Sequence, residues 1–255
     1  MLQDNCTSFR QLHKQGAPLV LGNIWDVAGA RAAEAAGFPA VATTSETVAR
    51  CLGFDDHEAA PADEMLAAAA RICGAVTVPT TVDVEAGYGM AATELVKRLV
   101  KAGAAGFNIE DSDHTTDVLA STADQARRIA ELREATEEIG APLVINARTD
   151  VFLQAAPGTD QATLVDEAVA RGREYLAAGA DCVYPLLASE EKVIGALVDQ
   201  LGSVNVLSMP GAPGLERLVE LGVARISLGP GLGRRYETWL REELTALASQ
   251  SKALG

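Results

Sequence analysis

Positive charge is scarce in this chain: 21 Lys and Arg stand against 35 Asp and Glu in 255 residues, a formal net charge of −14. A nucleic-acid backbone would be repelled by such a surface, so nucleic acid is not an expected partner. Aromatic residues are also few, at 4%, while 48% of residues are hydrophobic and 22% charged, an Ala-rich globular balance. The four cysteines, Cys6, Cys51, Cys73 and Cys182, have no close pair, which signals neither a zinc knuckle nor a disulfide framework. No stretch approaches the ~18 uninterrupted apolar residues of a membrane span. Met1 to Arg10 lacks a basic flank followed by an apolar run, so a cytoplasmic location and no membrane partner are expected.

What is present is a repeat of short β-branched runs and longer Ala/Leu/Glu/Arg segments of helical period. Eight runs stand out: Pro18 to Leu21, Ala40 to Thr43, Thr80 to Asp83, Gly106 to Glu110, Leu143 to Arg148, Cys182 to Pro185, Val204 to Leu207 and Arg225 to Leu228. A glycine lies two to six residues ahead of each, from Gly16 and Gly37 through Gly74 and Gly103 to Gly222, as expected of left-handed helix stops. Between them lie helices such as Val27 to Ala36 capped by Asp26, Ala62 to Cys73, and one capped by Thr122 with Arg127, Arg128, Arg133 and Glu137 turned outward. A last helix, about Gly233 to Ser249, carries Trp239 and Leu240, suited to a neighbouring subunit. This alternation predicts one α/β domain over residues 1–255, a (β/α)8 TIM barrel. A doubly wound open sheet is the alternative, weakened by the missing G-x-G-x-x-G after the first run.

In a barrel, the loops after the strands build the site. Those positions hold Asn23, Trp25 and Asp26; Thr44, Ser45 and Glu46; Asp83 and Glu85; Glu110 and Asp111; Arg148 and Asp150; with Asn205 in the seventh strand and Leu186 after the sixth. Asp83, Glu85 and Glu110 converging would repel one another unless a cation lay between them. Oxygen-only ligands point to Mg2+ or Mn2+ rather than zinc, and Asp56, in the long loop after the second strand, could reach the same ion through water. The same acids could instead cap helices or pair with arginines on the rim. Arg148 is the one basic residue at a strand end facing them, its planar fork suited to a carboxylate or a developing oxyanion. No lysine lies at a strand end, which argues against an imine-forming aldolase. Trp25 could wall the pocket, and the turn Gly229 to Gly233 follows the eighth strand, where barrels often bind phosphate.

These residues resemble the isocitrate lyase and phosphoenolpyruvate (PEP) mutase superfamily. The run Asp83-Val-Glu-Ala-Gly-Tyr-Gly89 is similar to its D-x-D-x-G-Y-G metal motif, Gly106-Phe-Asn-Ile-Glu-Asp111 to its G-x-x-I-E-D strand end, and Asn146-Ala-Arg-Thr-Asp150 to its A-R-T-D. Ala42 to Ser45 followed by Leu52 to Asp56 resembles its carboxylate-binding turn and second metal-shell aspartate. The resemblance implies that Asp83 holds Mg2+ directly, with Asp56, Glu85 and Glu110 acting through coordinated waters. It further implies that Thr44 and Ser45 bind the substrate carboxylate, that Arg148 stabilises the reacting oxygen, and that Asn205 contacts substrate. The implied activity is cleavage of a C–C bond in a small 2-oxo or 2-hydroxy dicarboxylate through a pyruvate-enolate-like intermediate. The alternatives are a PEP phosphonomutase or phosphonopyruvate hydrolase acting on a C–P bond, and a non-catalytic carboxylate-binding barrel. Relatives exchange their last helix, which implies a homo-oligomer, dimer or tetramer.

The departures matter as well. Lyases of the superfamily carry Lys-Lys-Cys-Gly-His on the loop after the fourth strand, whereas this loop reads Asp111 to Ser121 with neither cysteine nor lysine. His114 is its one residue with a near-neutral pKa and becomes the candidate proton donor. Glu85 stands where Asp is usual, Glu46 lies in the carboxylate-binding turn, and Leu186 replaces a glutamate of the lyases.

Overall fold

Polar residues alternate with apolar ones along several strands, and this pattern decides which face of the sheet each residue meets. The computed structural model describes residues 2–253. Eight parallel strands form the sheet: β1 (Leu19–Ile24), β2 (Val41–Thr43), β3 (Thr80–Asp83), β4 (Gly106–Glu110), β7 (Val144–Thr149), β8 (Cys182–Pro185), β9 (Asn205–Leu207) and β10 (Arg225–Ser227). Each pairs with its neighbour in chain order, β1 returns to β10 with Leu19 opposite Arg225, and a Val183–Val204 bridge joins β8 to β9. The ring is therefore closed, as the (β/α)8 reading predicts, and no open doubly wound sheet remains. The outer layer comprises α2 (Val27–Ala35), α4 (Ala62–Cys73), α5 (Ala92–Ala102), α6 (Thr122–Glu138), α7 (Val165–Ala177), α8 (Glu191–Leu201), α9 (Leu215–Glu220) and α10 (Gly231–Ala253).

On β4, Phe107 and Ile109 join the apolar layer between sheet and helices, while Asn108 and Glu110 point the other way. On β7, Ile145 and Ala147 face the same layer. Asn146 Nδ2 donates to Asn108 Oδ1 at 2.8 Å, and Arg225 of β10 reaches the same oxygen at 3.0 Å. Because β4 and β10 are not neighbours, that second bond crosses the barrel interior. The apolar core thus lies outside the strands, and the barrel encloses polar residues leading up to the mouth.

Three elements lie outside the eight-unit reading. Helix α1 (Leu2–Gln11) packs under the barrel, with Phe9 fully buried and Arg10 bonded to Asp181 and to the carbonyls of Pro142 and Leu143. A Cβ on Gly106 would lie 2.7 Å from the Val144 carbonyl and 2.9 Å from the Phe9 ring, so only glycine fits there. Helix α3 (Ser45–Leu52) starts directly after β2, where a long loop was expected, and β5 (Ser112–Asp113) pairs with β6 (Val118–Leu119) as a small hairpin after β4.

Smaller corrections have local causes. The cap of α6 is Ser121, whose Oγ accepts from Asp124 N, rather than Thr122. Arg133 folds inward onto Asp181 and the carbonyls of Gly179 and Leu143, joining Arg10 and Ile145 N in satisfying these part-buried acceptors at the foot of the barrel. Arg128 is half-buried, bonded to the Met90 carbonyl. Gly74 ends α4 in right-handed backbone, φ −73°, unlike Gly103, φ +86°. Cys6 and Cys182 are buried and Cys51 is exposed.

His13, just after α1, donates its Nδ1–H to the Phe9 carbonyl at 2.9 Å, and its Nε2 is buried without a partner. Burial, together with the charges of Arg225 and Arg10, pushes its pKa down to about 4. The folded protein thus resists a proton that the unfolded chain accepts, so stability is full above pH 6.5 and is lost as pH falls toward 4. His13→Phe is expected to flatten that part of the stability profile in urea unfolding measured from pH 7 to 4. An unchanged slope would contradict the assignment.

Candidate active site

The C-terminal ends of β1–β4 and β7–β10 surround a cavity of about 310 Å³. Thr44, Ser45, Asp56, Asp83, Asn108 and Arg148 all line it. The chain passes from β2 into α3 without a loop, and this brings the first turn of α3 to the cavity wall. Thr44 is extended, φ −132° and ψ 119°, and makes no side-chain cap, so beyond Ser45 N the first-turn N–H groups of this helix are not taken by a cap and suit an anion. Ser45 N donates to Asp83 Oδ2 at 3.2 Å, and Thr43 Oγ1 accepts from Asp83 N at 2.9 Å, so α3 and β3 are held in fixed relation.

Asp56 and Asp83 open into the same cavity, and Asp56 Oδ1 is buried with no hydrogen-bond partner. Glu85 and Glu110 stand outside the lining residues. Glu85 Oε2 accepts from Glu58 N at 2.6 Å, while Glu58 Oε1 accepts from Tyr88 N at 2.5 Å, a reciprocal clamp between two loops. His57, Glu58, Glu85 and Tyr88 all have positive φ, between +51° and +66°, a strained conformation held by this clamp. Burial raises the pKa of Asp83, with Asp56 adding to the shift against the lowering effect of Arg148. Burial likewise pushes Glu85 up to about 8, reinforced by Asp56, Asp83 and Glu110, and raises Glu110. Carboxylates so destabilised fit a cation: the donors are all oxygens, and an orphaned Asp56 oxygen faces the space beside Asp83. Among the described residues no three His, Cys, Asp or Glu side chains converge closely enough to chelate an ion together. An ion here would therefore take one or two protein ligands and keep water on the rest, the habit of Mg2+.

Arg148 lies between two acids. Its Nε and NH2 donate to the two oxygens of Asp150 at 2.6 and 2.9 Å, and its NH1 lies 2.5 Å from Glu110 Oε2. Burial opposes its charge, but Glu110 and Asp150 outweigh that and raise its pKa. Asp150 is fully buried and also accepts from Ser112 Oγ at 2.6 Å, while its backbone N donates to Asp111 Oδ1. Asp111 is held in turn by Tyr175 and Arg171. The guanidinium is thus fixed from behind at the cavity wall.

Other expected site residues are placed differently. His114 Nε2 lies 2.5 Å from Glu110 Oε1, a contact that raises the histidine pKa against the opposing effect of burial. It lines a neighbouring cavity of about 350 Å³, which shares His57, Arg148 and Leu153 with the first. Trp25 does not wall the mouth: it stacks on Tyr236 at 5.6 Å and lines a groove beside α2, α3 and α4. Asn205 lies in the seventh strand as expected, but as the first residue of β9 it sits fully buried below the mouth, outside the cavity lining, donating to Ser227 Oγ at 3.1 Å. Glu46 lines the cavity, but Arg234 of α10 grips both its oxygens at 2.8 and 2.5 Å, so its charge is paired at the mouth.

Of the lining residues that sequence reasoning did not single out, Asn108 and Arg234 bear most on the chemistry. Asn108 accepts with Oδ1 from both Asn146 and Arg225, which leaves its Nδ2 as the free donor end of the amide. Its position two residues before Glu110 on one strand was the available signal. Arg234 makes Arg148 no longer the single basic residue at the mouth, and its sign was the Arg pair after the glycine turn. Within that turn Gly233 packs on Thr47, where a Cβ would lie 2.5 Å from Oγ1.

Over residues 9–248 the chain matches the family described as phosphoenolpyruvate phosphomutase. It is 34% identical over 223 residues to an uncharacterized protein of Mycobacterium tuberculosis H37Rv, spanning 87% of this chain and 81% of that one. A 2-methylisocitrate lyase of Halalkalibacterium halodurans is 26% identical over 254 residues, 96% of this chain and 78% of its own. A provisionally assigned phosphonomutase of Burkholderia cenocepacia J2315 superposes with a TM-score of 0.89 at 38% identity, covering 98% of this chain and 100% of that one. Among the described residues no helix is long and apolar enough to cross a membrane. The chain belongs to the phosphoenolpyruvate phosphomutase family and is an enzyme of the PEP mutase and isocitrate lyase superfamily.

Proposed function

We propose that this protein is a divalent-metal-dependent lyase that cleaves a C–C bond in a small 2-oxo or 2-hydroxy acid, with Mg2+ or Mn2+ as the ion. The observation that carries this reading is the meeting of Asp83, Asp56, Arg148 and the α3 N-terminus in one cavity. Asp83 would hold the ion, with Asp56, Glu85 and Glu110 acting through its waters. The bound ion supplies Lewis-acid stabilisation of negative charge on the substrate oxygen. The hydroxyl groups of Thr44 and Ser45, with the first-turn N–H groups of α3 that Asp83 does not take, receive the substrate carboxylate, and Asn108 Nδ2 donates to a substrate oxygen. Arg148, locked by Asp150 and Glu110, points its charge at the oxygen that becomes enolate-like as the bond breaks. As the bond breaks the other fragment departs as a carbonyl compound or CO2, and His114, lying against Glu110 in the cavity next to the site, donates a proton to the enolate carbon left behind. The experiment is a panel of 2-oxo and 2-hydroxy acids incubated with Mg2+ or Mn2+ and followed by NMR, with phosphonopyruvate followed by phosphorus NMR. Metal-dependent C–C cleavage supports the reading, while conversion of phosphonopyruvate alone would replace it by C–P chemistry.

The stripe Tyr236, Trp239, Leu240, Leu244 and Leu247 on α10 is exposed, each residue at 37% or more. Its i, i+3, i+4 spacing makes one apolar face, which we assign to a second copy of the chain. A homo-oligomer is the expected species in solution scattering, and a monomer at micromolar concentration would contradict it.

A further inference from the structure

Strand β10 turns a cation into the barrel. Arg225 is the bulkiest fully buried side chain among the described residues, at 0% exposure. Its NH2 donates across the interior to Asn108 Oδ1 at 3.0 Å, while its Nε and NH1 are buried without a protein partner. The group it bonds is therefore an amide and not a carboxylate. Burial presses its pKa down to about 10, against the pull of Cys182, Tyr184 and Asp83, so it stays a cation at neutral pH. A guanidinium buried without a counter-ion costs stability that an apolar side chain of similar length would not. Packing alone does not account for the charge.

The one bond that Arg225 makes falls on a residue of the cavity lining. Asn108 and Asn146 by themselves do not fix which end of the Asn108 amide faces the cavity. With both amides turned over, Asn108 Nδ2 would donate to Asn146 Oδ1, and the pair would keep its hydrogen bond. Arg225 removes this degeneracy, because a guanidinium has only donors and the end of Asn108 that meets it must be the oxygen. Nδ2 is left for the cavity, which Asn108 lines at 6% exposure. The reversed amide would present a carbonyl oxygen to an anionic ligand where a donor is needed.

We propose that Arg225 is a positioning residue for the reaction: it locks the Asn108 amide with Nδ2 toward the cavity and so sets the donor that a substrate oxygen meets. This rests on the enolate-site reading above and adds to it a residue that touches no substrate, since Arg225 lies outside the cavity lining.

The test is calorimetric titration of oxalate, with Mg2+ present, into full-length wild-type protein, Arg225→Met, Asn108→Ala and the variant carrying both changes. Arg225→Met is expected to fold, because Asn108 Oδ1 keeps Asn146 Nδ2 as a donor and no acceptor is stranded. It should weaken oxalate binding about 10- to 100-fold, the worth of a hydrogen bond to a charged group, and Asn108→Ala should do the same. In the double variant the two losses should not add, since Arg225 acts through Asn108. A readout that needs no variant is the Asn108 side-chain NH2 signal in nitrogen-edited NMR spectra of the wild-type protein, which should move as oxalate fills the site. If the wild-type protein binds oxalate but Arg225→Met binds it equally well, if the two losses add, or if the Asn108 signal stays in place, the positioning role is overturned and the enolate site stands. If the wild-type protein binds no oxalate with Mg2+ present, the enolate-site reading fails and this proposal falls with it.

Discussion

Replacing Arg148 with alanine is expected to lower kcat by about 10²- to 10³-fold, the usual loss when a fixed donor aimed at a developing oxyanion is removed. The effect has two parts that can be separated. Chemically, the cavity loses its charge directed at the enolate oxygen. Structurally, Asp150, fully buried, loses two hydrogen bonds, and Glu110 loses its ion pair on the side away from His114. Stranding a buried carboxylate in this way costs about 3–5 kcal/mol of stability. Arg148→Lys keeps the charge but cannot fork across both Asp150 oxygens. It is therefore expected to recover most of the stability and little of the rate. Steady-state kinetics and urea unfolding on both variants check this. A rise in KM with kcat unchanged would instead mean that Arg148 binds ground state and transition state alike.

Asp83→Asn is expected to have the opposite signature, with loss of function and no loss of fold. Burial and the neighbouring Asp56 already disfavour the charge at Asp83, so a neutral amide of the same shape relieves both. In metal-free buffer the variant should unfold at the same or a higher temperature than wild type. Wild-type protein should gain about 2.7 kcal/mol when Mg2+ is raised to 100 times its Kd, and the variant should gain none. If both proteins responded equally to Mg2+, Asp83 would be a structural acid.

The parts of this enzyme that were legible in sequence are those whose physics is local. Strand residues Gly106 to Glu110 and Thr80 to Asp83 were bounded by helix stops and read at their observed limits, and the order of motifs fixed the closed ring. Asp83, Asp56, Thr44, Ser45 and Arg148 meet in one cavity because barrel topology brings strand ends together whatever their spacing in sequence. Orientation was not legible where the deciding partner is distant. Glu46 is paired at the mouth by Arg234, which lies 188 residues later in sequence and is brought near only by the fold. Asn108 gained its role from Arg225 across the barrel, a separation of 117 residues. Helix α3 was hidden because Thr43, Thr44 and Thr47 read as strand or loop, and it forms through packing of Val48 and Ala49 against Ala60 and Met65. Asn205 was read in the right strand, but its place at the start of β9 puts it in the barrel interior bonded to Ser227 rather than in the cavity lining.

The most direct test of the account is calorimetric titration of oxalate, a mimic of the pyruvate enolate, into wild-type and Asp83→Ala protein with and without Mg2+. The account predicts binding that requires both the ion and Asp83, with no detectable heat when either is absent. Oxalate binding that ignores Mg2+, or that survives in Asp83→Ala unchanged, would contradict it and leave the acidic cluster a structural feature of the barrel rim.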